Sequence, residues 1–141
     1  MVGSILGVSD IGKGESMDDL VICTGMAMLD IPIRGLPALD PAHEMTRAER
    51  IGLNLGGDAV NEAVVLTKLG VRTKLYTALS DDNAGKAIAL LLDDAGVDRS
   101  LCEQRPGTVS SISIPIVLEN AERVFVAGMK ENLALSFLPD A

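Results

Sequence analysis

The spacing of apolar residues changes along the chain, and each change marks an element. Residues 20–25, LVICTG, are a short apolar run stopped by Gly25. That pattern suits a strand buried on both faces of a parallel sheet. Residues 28–34, MLDIPIR, alternate, with Leu29, Ile31 and Ile33 on one face and Asp30 and Arg34 on the other. Pro32 has no backbone donor, so this strand is predicted at an edge or outside the main sheet. Residues 36–50 are proline-rich, then charged, and read as loop; residues 51–55, IGLNL, alternate again and could pair with 28–34.

The period then becomes helical. Gly56-Gly57 opens a helix predicted over 58–69, with Asp58 as N-cap and Gly70 as stop. Val60, Ala63, Val64 and Thr67 make its apolar stripe, with Leu66 and Leu69 beside it. Residues 71–79 read as a strand, Ser80-Asp81-Asp82 as a turn and cap, and 83–95 as a second helix. In that helix Ala84, Ala87, Ile88, Leu91, Leu92 and Ala95 keep strict helical spacing. A short strand is predicted at 97–102, then strands at 109–118 and 123–127 joined by the hairpin loop ENAE.

Strand, helix, strand in sequence implies a right-handed crossover and a parallel sheet. The expected fold is therefore α/β: a parallel sheet of about three strands with two flanking helices. The excursions at 28–55 and 108–127 could form a small sheet lying over it. Residues 1–19 read as a poorly ordered leader and 20–141 as one domain.

Composition narrows the function. Hydrophobic residues are 48% and aromatics 2%, so the core must be aliphatic. The net charge of -8, with no run of Lys and Arg, argues against nucleic acid as a partner. Cys23, Cys102 and the single histidine His43 lack metal-ligand spacing, so no metal site is expected. Glycines interrupt the apolar residues near the start, and no stretch reaches the roughly 20 apolar residues of a membrane span. A cytoplasmic protein without a membrane partner is the expectation.

Two places could carry chemistry. GGDAVNEAVVLTKLG, residues 56–70, is a glycine pair leading into a helix N-terminus. Glycines admit a close ligand, free N–H groups can meet ligand oxygens, and Asn61 offers both a donor and an acceptor. Taken alone, the pair also fits a tight turn and Asn61 a solvated helix residue. Asp30 follows the first strand on the polar face, where a carboxylate can accept from two hydroxyls, or simply face water. A third stretch, Gly7 to Gly14, falls short of a P-loop because Gly14 stands where the Mg²⁺-binding hydroxyl belongs.

Gly56-Gly57-x-x-x-Asn61-x-Ala63, ending in Leu69-Gly70, resembles the N-terminal signature of the PfkB/ribokinase family of carbohydrate kinases. Val21–Asp30 is similar to that family's first strand with its substrate-binding aspartate. Ser80-Asp81-Asp82-x-x-Gly85 is similar to its G-D-D-x-x-G segment, and 96–102 with 108–127 to the segments that build its lid. The likeness runs over about residues 20–135. It implies a ribokinase-like fold whose lid strands are about 28–34, 51–55, 108–118 and 123–127. It also implies a sugar or nucleoside acceptor held by Asp30, Gly56, Gly57 and Asn61, with Met28 beside them. The complete enzyme would transfer the γ-phosphate of ATP with Mg²⁺, and family lids can pair into homodimers.

The departures matter as well. Met28 stands where ribokinase has asparagine, and Asp58 where some members have lysine, so the acceptor stays open. The family's second signature, D-T-x-G-A-G-D, which supplies the anion hole and catalytic base, is absent from the sequence. The chain is therefore expected to hold the acceptor half of a truncated kinase, with no catalytic residue and no nucleotide site of its own. The alternative is a non-catalytic sugar-binding or lid-mediated assembly module.

Overall fold

The computed structural model describes residues 5–6, 20–38, 42 and 44–128. The near-P-loop at Gly7–Gly14, His43 and most of the predicted leader lie outside the described residues. At the leader's start, β1 (Ile5–Leu6) pairs antiparallel with β2 (Val21–Thr24) at Cys23 and Ile22.

The main layer is parallel, as its apolar runs require. β2 pairs in register with β7 (Thr73–Tyr76), and β8 (Ala78–Ser80) pairs with β9 (Glu103–Arg105). β7 and β8 are one stretch interrupted at Thr77, so three parallel strands lie side by side. The predicted strand at 97–102 is mostly a turn. Asp98 touches Lys74 through a single bridge, then its carboxylate accepts from the Ser100 N–H at 2.9 Å and the chain folds back. Aspartate's side-chain competition for backbone donors defeats the strand there. Pairing resumes one turn later, in β9.

α1 (Asp58–Lys68) and α2 (Asn83–Asp94) follow β6 (Asn54–Gly56) and β8. α1 buries Ala59, Val60 and Ala63; α2 buries Gly85, Ile88 and Leu92. These meet Cys23, Leu75, Leu79 and Val97 in one aliphatic core. Leu69, expected beside the buried stripe, is 72% exposed. It is the C-cap, where the chain leaves helical geometry. The N-cap of α1 is Gly57, not Asp58; Asp58 is the first helical residue, where its charge suits the helix dipole.

The second sheet is built from β3 (Met28–Asp30), β4 (Ile33–Leu36), β5 (Arg50–Ile51), β6, β10 (Ser111–Leu118) and β11 (Arg123–Gly128). β3 and β4 are halves of one extended stretch that runs parallel to β10; β6 and β5 pair antiparallel with its other edge. Pro32 thus sits outside the main sheet but inside this one, flanked on both sides. Its carbonyl accepts from the Gly52 N–H at 3.0 Å, and the missing return bond breaks the ladder between β5 and β6. β11 completes the sheet as a hairpin on β10, closed by a bond from Leu118 N–H to the Glu122 carbonyl at 2.9 Å.

Asp82 joins the two sheets. It caps α2 by accepting from the Gly85 N–H at 2.7 Å, and accepts from the hydroxyls of Ser80 at 2.7 Å and Ser110 at 2.6 Å. Its other oxygen accepts from the Ser110 N–H at 2.8 Å. Asp81 adds a bond from the Gly107 N–H at 2.9 Å. Burial alone would raise the Asp82 pKa. The bonds from Ser110, Gly85 and Ser80 together outweigh it and hold the carboxyl well below the usual range.

A depressed folded pKa adds stability that is present above the unfolded value and lost as pH falls. Asp82→Ala should cost about 2 kcal/mol or more in urea unfolding at pH 7, through the lost cap and charged hydrogen bonds. The gap to wild type should narrow below about pH 4, where the wild-type carboxyl begins to protonate in the unfolded chain. An equal gap at pH 3 and pH 7 would contradict this account.

Candidate functional site

The second sheet has two unlike faces, because side chains alternate along each strand. Leu29, Ile31, Leu55 and Ile112 point one way and pack on the core. Asp30, Asn54 and Ser113 point the other way, on one rung: Asp30 is in register with Asn54 on one side and Ser113 on the other. Asp30 and Asn54 line a groove of about 430 Å³ whose walls also include Pro32, Arg34, Arg123 and Phe125.

Asp30 is the group with unfinished chemistry. Its Oδ1 is buried and has no hydrogen-bond partner. Burial raises the carboxyl pKa; the facing Ser113 hydroxyl pulls it down but does not satisfy Oδ1. A buried carboxylate with an open lone pair costs stability until a donor arrives.

Gly56 makes room for that carboxylate. A Cβ at Gly56 would fall on the Asp30 carboxyl, 2.5 Å from Cγ and 2.7 Å from Oδ2. Gly57 is needed for a different reason. Its φ is 99°, open only to glycine at low cost, and a Cβ there would lie 3.0 Å from the Met26 carbonyl carbon and closer still to its oxygen.

The predicted site residues therefore separate into groups. Asp30 and Gly56 are in contact, and Met28 stands in register with Gly56 on the adjoining rung. Gly57 shapes the turn into α1. Asn61 lies one turn further, exposed, its N–H bonded to the Gly57 carbonyl at 3.0 Å. Neither Gly57 nor Asn61 lines the groove.

Sequence reasoning missed Asn54, Arg123 and Phe125 as groove residues, and Ser113 as Asp30's neighbour on the same rung. The alternation had already put Arg34 on Asp30's face. Asn54 follows once 51–55 is paired with 28–34. The β10–β11 contribution needed the register, in which Pro115 opposes Phe125 and Val117 opposes Arg123.

Both thiols lie away from the groove. Burial pushes Cys23 above the ordinary thiol value, and Cys102 up to about 11. Neither is poised to act as a nucleophile near neutral pH. Among the described residues no three His, Cys, Asp or Glu side chains could together hold a metal ion, and no helix is long and apolar enough to cross a membrane.

Two expectations follow. Asp30's raised pKa means its contribution to stability is full at low pH and lost as pH rises through the folded value. Asp30→Asn should therefore melt higher than wild type at pH 7.5 (by about 1 kcal/mol at most), and the advantage should vanish near pH 4. A variant less stable than wild type at pH 7.5 would refute the desolvation argument. Gly57→Ala should cost about 1–3 kcal/mol from backbone strain, with the Met26 clash added. Gly56→Ala should cost less, since a side-chain end can swing away; thermal melts of the pair would reverse this order if the argument is wrong.

Relatives agree with this architecture. The pfkB family carbohydrate kinase pattern matches residues 18–140. A fructokinase of Rhizobium leguminosarum bv. trifolii is 29% identical over 98 residues, covering 67% of this chain and 27% of that protein. Among solved structures, a ribokinase candidate from Agrobacterium tumefaciens superposes with a TM-score of 0.74 at 24% identity, over 86% of this chain and 39% of that one. The Arabidopsis thaliana ribokinase complexed with ribose and ATP gives a TM-score of 0.65 at 22% identity, over 77% of this chain and 35% of that one. The chain thus spans well under half the length of these relatives. Its fold is ribokinase-like, and the chain belongs to the pfkB family of carbohydrate kinases.

Proposed function

We propose that this chain is the acceptor-binding part of a carbohydrate kinase that phosphorylates a sugar or nucleoside hydroxyl. The observation that carries the reading is the buried, unpartnered Asp30 Oδ1 at the wall of an open groove, with Gly56 shaped to admit the carboxylate. A sugar hydroxyl is a fitting donor, and Asn54 on the same rung can take a second hydroxyl. The family resemblance adds Gly57 and Asn61 at the start of α1, outside the groove lining, and Met28 beside Gly56.

ATP with Mg²⁺ is assigned to the complete kinase. The sequence carries no glycine-rich aspartate segment of the D-T-x-G-A-G-D kind. No step of phosphoryl transfer is derived from it. No catalytic base is assigned among the described residues, and a cytoplasmic location accords with a small phosphorylated product.

A second reading rests on β11. Val124, Phe125 and Val126 are 44%, 67% and 52% exposed, and no described strand pairs its outer edge. Such an edge can recruit a second copy, so the lid would also serve as a homodimer interface. In that reading the chain is a non-catalytic sugar-binding or assembly module.

Isothermal titration of the purified chain with pentoses, hexoses and nucleosides, with ATP·Mg²⁺ as a separate titrant, tests the first reading. The expected result is sugar binding that Asp30→Ala abolishes and Asn61→Ala weakens, with no response to ATP·Mg²⁺. Sugar binding indifferent to Asp30 would overturn the site.

A further inference from the structure

Two rungs beyond Asp30 the groove becomes basic, in a chain whose net charge is -8. Strand register places Arg50 opposite Arg34, Arg34 opposite Val117, and Val117 opposite Arg123. Arg34 and Arg123 both line the groove with Asp30. Arg50 lines an adjoining hollow of about 120 Å³ that shares Pro32, Arg34 and Asn54 with it. All three arginines are exposed, and among the described residues none forms an ion pair; the recorded pairs are Arg99–Asp93 and Arg105–Glu103.

Like charges directly opposed across a strand pair destabilise a sheet. Arg34 and Arg50 are so placed, and among the described residues neither is ion-paired. An anion seated on the rung would remove that repulsion and gain charge-assisted hydrogen bonds from planar guanidinium forks.

The spacing suits one kind of ligand. Asp30 and Arg34 are four residues apart on one face, roughly 13 Å at the rise of a strand. Both line one groove, and the length of an arginine side chain brings the span between the charged ends to the scale of a sugar. The rung between them presents Pro32, Pro115 and Phe125, an apolar floor for the C–H face of a sugar.

We propose that Arg34, Arg50 and Arg123 form a subsite for the anionic end of the acceptor. The acceptor is then a sugar carrying a carboxylate or a phosphate, with its hydroxyls toward Asp30 and its charge toward the arginine rung. This rests on the acceptor reading of Asp30 given above and names its substrate class.

The test is titration of the purified chain with gluconate, fructose 6-phosphate, fructose and inorganic phosphate, at low and high salt. Wild type should bind gluconate or fructose 6-phosphate at least about tenfold tighter than fructose, and the preference should shrink with salt. Whichever of the two binds tighter identifies the anionic group. The Arg34→Gln/Arg123→Gln double variant should lose the preference, Arg72→Gln, outside the groove, should keep it, and Asp30→Asn should weaken every sugar. A purely structural role for the arginines would move melting temperature and leave the preference intact, which would overturn the proposal. Equal binding of fructose and the charged sugars would also overturn it, while leaving the acceptor site standing. Binding of inorganic phosphate as tightly as fructose 6-phosphate would reduce the rung to a simple anion site and refute the sugar class. No binding of any titrant would remove both.

Discussion

Asp82 is the point at which the two sheets are fastened together. One carboxylate collects bonds from the strand before it, the helix after it and the segment that leads into β10. The farthest of those partners is 28 residues from Asp82 in sequence, so the contact closes a long loop as well as capping a helix. With Ser110 held, β10 must begin at Ser111, beside Met28. Ser113 then falls opposite Asp30, and the hairpin that follows places Arg123 and Phe125 over the same groove. The groove's composition is in this sense a consequence of where Asp82 anchors the strand.

Register is what converts that anchor into chemistry. Leu29, Ile31, Leu55 and Ile112 pack on the core while their neighbours face the groove. A slip of one residue would bury Asp30 and Arg34 and expose the aliphatic set. Burial of the aliphatic face therefore selects the pairing, and the polar face inherits its alignment. Pro32 adds to this: it breaks pairing with the 50–56 segment at one rung without releasing the strand from β10, where the Ile31 N–H still donates to the Ser113 carbonyl at 2.8 Å.

Elements governed by local pattern were legible in the sequence. α2 ends within one residue of its periodicity, and the ENAE hairpin and the two strands it joins stand where the pattern puts them. The parallel layer and the family also followed from local motifs taken in order. What escaped were outcomes of competition or of long-range pairing. The segment at 97–102 has strand-like apolar residues, but the Asp98–Ser100 bond claims its backbone first. Gly57 displaced Asp58 as N-cap because only glycine accepts its φ. Arg123 and Phe125 are about ninety positions from Asp30, and no periodicity connects them. Asp30 itself was visible as a candidate; its unpartnered oxygen was not, since burial depends on every strand around it.

That oxygen and the arginine rung share a physical character. Each is an electrostatic cost the folded chain carries without internal relief: a desolvated acceptor at one end of the groove, opposed like charges at the other. Other charged side chains are relieved, as where Arg99 grips Asp93 at 2.6 and 2.9 Å, or where Asp82 fills both its oxygens; the other buried oxygens without a partner are the neutral hydroxyls of Thr67 and Thr77. Uncompensated groups on one face, separated by an apolar floor, are complementary to a ligand with hydroxyls at one end and negative charge at the other. Binding such a ligand would relieve both costs together, so the affinity of the groove would draw on strain already present in the unliganded fold.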